Sequence, residues 1–175
     1  MAAANSILGL HHIGFTVPDM EQAVAFFADV FGAITIMECG SVEVDDAFMA
    51  KHLGVPQGAK IADQRVVQIG RGGSLELFEY SGVTGAQAIK HNGEVGAMHI
   101  AFEVNDAFEV AERMKSQGVD VLDGPTLIQG GPMNNLVWLY LRSPWGQYLE
   151  IVSAKGPLGY EDNQGPKLWT PSSGN

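Results

Sequence analysis

The sequence predicts an α+β fold made of two βαβββ modules, and three observations support this. A stretch near the N-terminus, LHHIGFTVPDMEQAVAFF, returns in altered form as MHIAFEVNDAFEVAERM. Each copy passes from a strand-like pattern to a helical one, and three further strand-like runs follow it. The copies match at an offset of 87 residues (99 − 12), which pairs His12, Ile13, Phe15, Val17 and Asp19 with His99, Ile100, Phe102, Val104 and Asp106. A duplicated half-domain accounts for all three observations.

Each copy begins with a strand that leads into a helix. The repeated aspartates, Asp19 and Asp106, precede the helical patterns and are expected to be their N-caps. Gly32 and Gly118 follow the helical patterns, as is typical of helix C-termini. We therefore predict one amphipathic helix per module.

Three strand-like runs follow each helix. They are AITIMEC from Ala33, RVVQIG from Arg65 and SLELFEY from Ser74, and then VDVL from Val119, LVWLYLR from Leu136 and QYLEIVS from Gln147. The turns GRGG and SPWG predict hairpins between the last two strands of each module. We predict one domain over residues 1–175, with module one at about 10–80, module two at about 97–153 and an irregular tail at 154–175. Residues 41–62 are predicted to form an inserted loop with a short helix around 47–53.

Composition limits the kinds of partner. The formal net charge is −10 and Lys and Arg form no cluster, so we expect no nucleic acid partner. No apolar run is long enough for a bilayer, and the N-terminus is a poor signal peptide. One cysteine allows no internal disulfide, which favours a cytoplasmic setting. We also expect a small-molecule substrate and a homodimer.

Four polar residues are predicted to share the face of the strands that is opposite the helices. Side chains alternate between the two faces of a strand, so the aliphatic residues fall on one face, where the helices pack. The other face carries small residues together with His12, Glu76, His99 and Glu150. Two imidazoles and two carboxylates in a cavity require a cation, because the carboxylates would otherwise repel and be poorly solvated. We predict one divalent metal ion (Zn, Ni, Co, Fe or Mn) bound by these four side chains.

Other polar residues in these stretches are interpreted as structural. His11 is expected to be a packed or edge histidine on the apolar side of the first strand. Glu79 lies on the face opposite Glu76 and is expected to be a surface residue at the strand end.

From residue 10 to residue 153 the chain resembles the vicinal oxygen chelate superfamily, which includes glyoxalase I, methylmalonyl-CoA epimerase, extradiol dioxygenases and the bleomycin and fosfomycin resistance proteins. The similar stretches are HHIGFTVPDMEQAVAFFADVFG, LELFEY, MHIAFEV and SPWGQYLEIV. They contain the four predicted ligands in order. The resemblance implies a half-open barrel of two βαβββ modules around the metal.

Two departures separate the chain from particular members of that family. Thr16 stands where glyoxalase I carries a glutathione-binding arginine, and LELFEY lacks the asparagine that glyoxalase I keeps after its glutamate. A glutathione hemithioacetal is therefore disfavoured as the substrate. A glutamate ligand in the fourth strand argues against an extradiol dioxygenase, but Tyr140 matches the position of the active-site tyrosine in those enzymes.

The resulting functional hypothesis is a metal-dependent isomerase, epimerase or glyoxalase-type lyase that removes a proton next to a carbonyl. Glu150 is the expected base, with Glu76 as its partner. Tyr140 is a further catalytic candidate, and Thr16, Phe78 and Tyr148 are expected to line the substrate pocket. The alternatives are an extradiol ring-cleaving dioxygenase and a protein that sequesters a small molecule.

Overall fold

The computed structural model describes residues 9–83, 89–161, 165 and 167–172. The chain divides into two compact units, Met1–Gly85 and Ala86–Asn175, and each contains one of the predicted modules. Among the described residues, no helix has the length and apolar character needed to span a membrane.

Module one is an open four-stranded sheet with one long helix. Its elements are β1 (His12–Thr16), α1 (Met20–Phe31), β2 (Ile34–Glu38), α2 (Asp46–Phe48, continued by a π-helix over Met49–Leu53), β3 (Lys60–Gln68) and β4 (Ser74–Ser81). The strand order is β1-β4-β3-β2. β1 runs parallel to β4, whereas the β4–β3 and β3–β2 pairs are antiparallel.

Module two repeats this plan and adds one short strand. Its elements are β5 (Ile100–Glu103), α3 (Ala107–Ser116), β6 (Asp120–Val121), β7 (Thr126–Leu127), β8 (Leu136–Arg142) and β9 (Tyr148–Ala154). The strand order is β5-β9-β8-β6, with β7 paired to β8. β5 is parallel to β9, as β1 is to β4. The predicted α+β fold with two βαβββ modules is confirmed, and β7 is an addition to it.

The aliphatic face of each sheet forms the core, as the alternation predicted. In module one Phe27 of α1 and Leu77 of β4 are fully buried. In module two Met114 of α3 is fully buried, as are Leu139 and Ile151 of the hairpin. Burying this apolar surface is the main favourable contribution to folding. The opposite face of each sheet is therefore left to the polar side chains.

The helix termini follow the predicted signals. The Asp19 carboxylate accepts a hydrogen bond from the Gln22 amide at 2.9 Å, and Gly32 ends α1 in the left-handed conformation, φ 67°. The Asp106 carboxylate accepts from the Phe108 amide and from Lys155. Lys155 and then the helix amides lower the pKa of Asp106. The resulting stabilisation is present at neutral pH and is lost as the pH falls through that lowered pKa.

Two expectations are corrected by the structure. Residues 60–62, predicted to be part of the inserted loop, belong to β3, because Lys60 and Ile61 pair with Ser81 and Tyr80 of β4. Glu79 is not a free surface residue. Its Oε2 accepts a hydrogen bond from the Met20 amide at 2.7 Å and so places a carboxylate at the positive N-terminus of α1.

A buried hydroxyl secures the start of α3. Ser153 Oγ accepts a hydrogen bond from the Ala107 amide at 3.0 Å, and both residues are buried. Ser153→Ala should lower the free energy of unfolding by about 1–3 kcal/mol, because the buried amide loses its acceptor. The exposed bond from Ser116 Oγ to the Arg113 carbonyl offers a control, and Ser116→Ala should change stability by less than about 0.5 kcal/mol. Urea unfolding followed by circular dichroism measures both, and equal effects would contradict the assignment.

The Glu79 cap of α1 gives a second stability prediction. Glu79→Ala should lower the free energy of unfolding by about 1–3 kcal/mol, since a charge-assisted hydrogen bond is lost. Glu79→Gln keeps an acceptor oxygen and should lose about 0.3–1 kcal/mol, the value of the charge at the helix terminus. Glu112→Ala is the control, because its exposed pair with Lys115 contributes at most about 1 kcal/mol. A Glu79→Ala protein as stable as the wild type would exclude the capping role.

Candidate active site

In module one a histidine and a glutamate from neighbouring parallel strands form a pair. His12 Nε2 lies 3.1 Å from Glu76 Oε2. The strand register sets Gly14, not His12, directly opposite Glu76. A Cβ atom on Gly14 would lie 3.6 Å from Glu76 Oε2 and 3.5 Å from the Phe78 ring. The absence of a side chain at Gly14 thus leaves the space beside the carboxylate open.

A third residue of module one holds the other oxygen of this carboxylate. Gln64 Nε2 of β3 donates a hydrogen bond to Glu76 Oε1 at 2.7 Å. Glu76 is therefore held on both oxygens, by His12 and by Gln64. His11 is exposed beside the edge strand β1, so of the two expected positions, packed or at the edge, it has the second, and its Nδ1 lies 2.8 Å from His12 Nδ1.

Module two forms the same pair with the same separation. His99 Nε2 lies 3.1 Å from Glu150 Oε2, and the small residue Ala101 stands opposite Glu150 in the strand register. Tyr140 of β8 pairs with Glu150 across the hairpin. Its hydroxyl lies 3.5 Å from His99 Nε2, and the two rings are nearly perpendicular with centroids 5.1 Å apart. A histidine, a carboxylate and a phenol thus meet on one face of this sheet.

In each pair the glutamate is more buried than the histidine. The side chain of Glu150 is 14% exposed and that of Glu76 21%, whereas His99 and His12 are 41% and 42% exposed. Burial raises the pKa of Glu150, and the neighbouring His99 partly offsets this by lowering it. Burial, followed by the charge of Glu150, raises the pKa of Tyr140, so its hydroxyl is protonated at neutral pH.

The three predicted pocket residues have different surroundings. Thr16 is exposed at the end of β1, opposite Phe78 in the register. The Phe78 ring stacks on Tyr80 at 5.9 Å, on the face that carries Glu76. Tyr148 is only 8% exposed; its hydroxyl lies 3.3 Å from His91 Nδ1 and Arg142 lies over its ring. Tyr148 is therefore packed inside its module and contributes little surface to any open space.

Within each His–Glu pair, the distance between the nitrogen and oxygen donors fits a divalent metal ion. Two donors that each lie about 2.1 Å from one ion, at angles between octahedral and tetrahedral, are about 3.0–3.4 Å apart. Both His–Glu pairs have 3.1 Å between nitrogen and oxygen, which is within that range. The described part of the chain contains no group of three or more His, Cys, Asp or Glu side chains that could hold an ion. The structure thus brings the predicted ligands together as two pairs, one in each module.

Gln64 is the polar contact that sequence analysis missed. The strand was predicted to begin at Arg65 and the inserted loop to end at residue 62, which left Gln64 outside any predicted element. The signal was nonetheless present in the hairpin. A turn over GRGG sets Gln68 opposite Ser74. Counting away from the turn along each strand then sets Gln64 opposite Phe78, on the face that carries Glu76.

The chain is similar to known proteins over most of its length. The family model "Glyoxalase/Bleomycin resistance protein/Dioxygenase superfamily" matches residues 9–151. A 2-epi-5-epi-valiolone epimerase from an Actinomyces species is 34% identical over 168 residues, which cover 94% of this chain and 89% of the relative.

Solved structures share the fold at lower identity. A glyoxalase family protein from Bacillus cereus is 17% identical with a TM-score of 0.70, and the match covers 89% of this chain and 100% of that one. The fosfomycin resistance protein FosX from Listeria monocytogenes, complexed with Mn(II) and sulfate, is 21% identical with a TM-score of 0.55, and the match covers 90% of this chain and 99% of that one.

The family match spans most of the chain, and the epimerase relative covers nearly all of it. The chain therefore belongs to the Glyoxalase/Bleomycin resistance protein/Dioxygenase superfamily, which is the vicinal oxygen chelate superfamily.

Proposed function

We propose that the protein is a metal-dependent epimerase that inverts a carbon atom next to the carbonyl of a small metabolite. The observation that carries the proposal is the module-two cluster, in which a partly buried carboxylate, Glu150, lies beside His99 and Tyr140. The relative's name supplies the reaction type and a ketone to test, 2-epi-5-epi-valiolone.

His12, Glu76, His99 and Glu150 are the proposed ligands of one divalent metal ion. The support is the matching 3.1 Å separation within each pair and the mixed nitrogen and oxygen donor set, which suits Zn, Ni, Co, Fe or Mn. The FosX protein, a fold relative, is complexed with Mn(II). When bound, such an ion acts as a Lewis acid that favours negative charge on a substrate oxygen.

Glu150 is the proposed base. It takes the proton from the carbon next to the carbonyl; the electron pair of that C–H bond forms a carbon–carbon double bond, and the π electrons of the carbonyl move to its oxygen. The Tyr140 hydroxyl, protonated at neutral pH, is the hydrogen-bond donor for that oxygen. A proton from water then adds to the opposite face of the same carbon as the carbonyl re-forms, and Glu150 gives up its proton to water, which completes the inversion. The inverted carbon therefore carries a hydrogen from solvent.

The proposed ligand set makes a prediction about metal binding. The purified protein should bind one divalent ion per chain, because each His–Glu pair supplies only half of a four-donor site. His12→Ala and His99→Ala should each abolish tight binding, whereas His52→Ala, in the short π-helix, should leave it unchanged. Equilibrium dialysis with Zn(II) and elemental analysis measure the stoichiometry. Two ions per chain would contradict the shared site, and no metal with tight binding of a small ligand would favour a sequestering protein.

A second prediction concerns the base. Glu150→Gln keeps an oxygen donor and nearly the same shape but cannot accept the proton, so it should retain metal and lose turnover by roughly 10²–10⁴-fold. Glu76→Gln should have a milder effect, because the amide oxygen is still a neutral ligand. Proton NMR of 2-epi-5-epi-valiolone in D₂O follows both epimer formation and deuterium incorporation. Full activity of Glu150→Gln would refute the assignment, and oxygen uptake with a catechol would favour a dioxygenase instead.

A further inference from the structure

We infer that Gln64 is a positioning residue that fixes Glu76 as a stationary metal ligand and so leaves the reactive role to Glu150. This inference rests on the proposed function, since it concerns how the two carboxylates divide their tasks. The contact that carries it is the 2.7 Å hydrogen bond from Gln64 Nε2 to Glu76 Oε1.

The direction of this hydrogen bond follows from chemistry. An ionised carboxylate can only accept, so the amide nitrogen of Gln64 must be the group that faces Glu76. The bond occupies Oε1 and leaves Oε2 toward His12, at 3.1 Å. A ligand carboxylate that is hydrogen-bonded in this way is held in one orientation, as in many metal sites.

Gln64 is itself well fixed. It lies on β3, an interior strand of the sheet. Its backbone amide donates to Asp63 Oδ1 at 2.8 Å, and its carbonyl accepts from the Cys39 amide at 2.8 Å. Positions on such strands hold a side chain more precisely than loop positions do. The amide of Gln64 therefore reaches Glu76 from a rigid base.

The described residues of module two make no hydrogen bond to Glu150 that is equivalent to the one from Gln64 to Glu76. Phe78 and Val152 each come two residues after a site glutamate, and their partners across the hairpins are Gln64 and Trp138. The equivalent of Gln64 is therefore Trp138, whose ring packs against Tyr140 at 5.5 Å. Within the described residues, Glu150 has a hydrogen-bond or ionic contact to His99 alone. One carboxylate of the duplicated pair is thus held on both oxygens and the other on one.

A carboxylate that must take up and release a proton has to change its bonding during the reaction, whereas a structural ligand does not. The Gln64 contact therefore assigns different tasks to two glutamates that the repeat would otherwise make equivalent. Loss of this contact should weaken metal binding and leave the chemical step intact once metal is restored.

The test compares Gln64→Met with Gln68→Met. Gln68 lies on the same strand and face, and its side chain contacts the Gly70 carbonyl at 3.5 Å, away from Glu76. Zn(II) affinity is measured by competition with a chromogenic chelator. Gln64→Met should lower the affinity about 10–100-fold, whereas Gln68→Met should lie within about twofold of the wild type. Thermal unfolding of the metal-free proteins shows whether each variant folds, and Gln64→Ala is the second variant.

Turnover at saturating Zn(II) separates positioning from catalysis. Excess metal should restore Gln64→Met to within a few-fold of wild-type turnover, and should not rescue Glu150→Gln. Unchanged Zn(II) affinity in both Gln64 variants would overturn the inference while leaving the proposed function in place. Metal-free Gln64 variants that do not fold would make the residue structural and also overturn it. A wild-type protein that binds no Zn(II) would refute the inference and the proposed function together.

Discussion

The parallel pairing of the first and last strands of each module is the constraint on which the candidate site depends. Parallel neighbours present side chains to the same face at matching positions, and the pairing of β1 with β4 and of β5 with β9 brings each histidine to its glutamate. Antiparallel hairpins then add a third side chain, Gln64 in one module and Tyr140 in the other. The aliphatic face buried against each helix fixes this arrangement, because a shift of one residue would turn the polar set into the core.

Much of the fold could be predicted from the sequence because it depends on local sequence patterns. The repeat, the capping aspartates and the glycine after α1 identified the helices. Alternation along β4 placed Glu76 on the face of the strand that does not carry the buried Leu77. The same alternation predicted that His12 and Glu76, and likewise His99 and Glu150, lie on the face opposite the helices. These features depend on neighbours in sequence or on a simple period, which a single chain displays directly.

The contacts that were missed depend on distant parts of the chain. Alternation puts Glu79 on the aliphatic face, and it was predicted to be a surface residue because it lies at the strand end, but α1 brings the Met20 amide to it from 59 positions away. Gln64 needed the full length of β3, whose first five residues carry few apolar side chains and so gave no strand signal. β7 has two residues and pairs only through Trp138 and Val137, too short for a period to be visible. Tertiary pairing decides such cases, and local propensity does not.

The small residues that face each carboxylate have a consequence for how this protein could evolve. Gly14 and Ala101 stand opposite Glu76 and Glu150, and a methyl group at position 14 would make only ordinary contacts with its neighbours. Larger side chains at either position would narrow the space beside a carboxylate without altering any residue that forms a bond there. In the proposed site, the space beside each carboxylate and the polar groups around it are thus set by separate residues, so a duplicated scaffold of this kind can change the size of that space while it keeps the same polar groups.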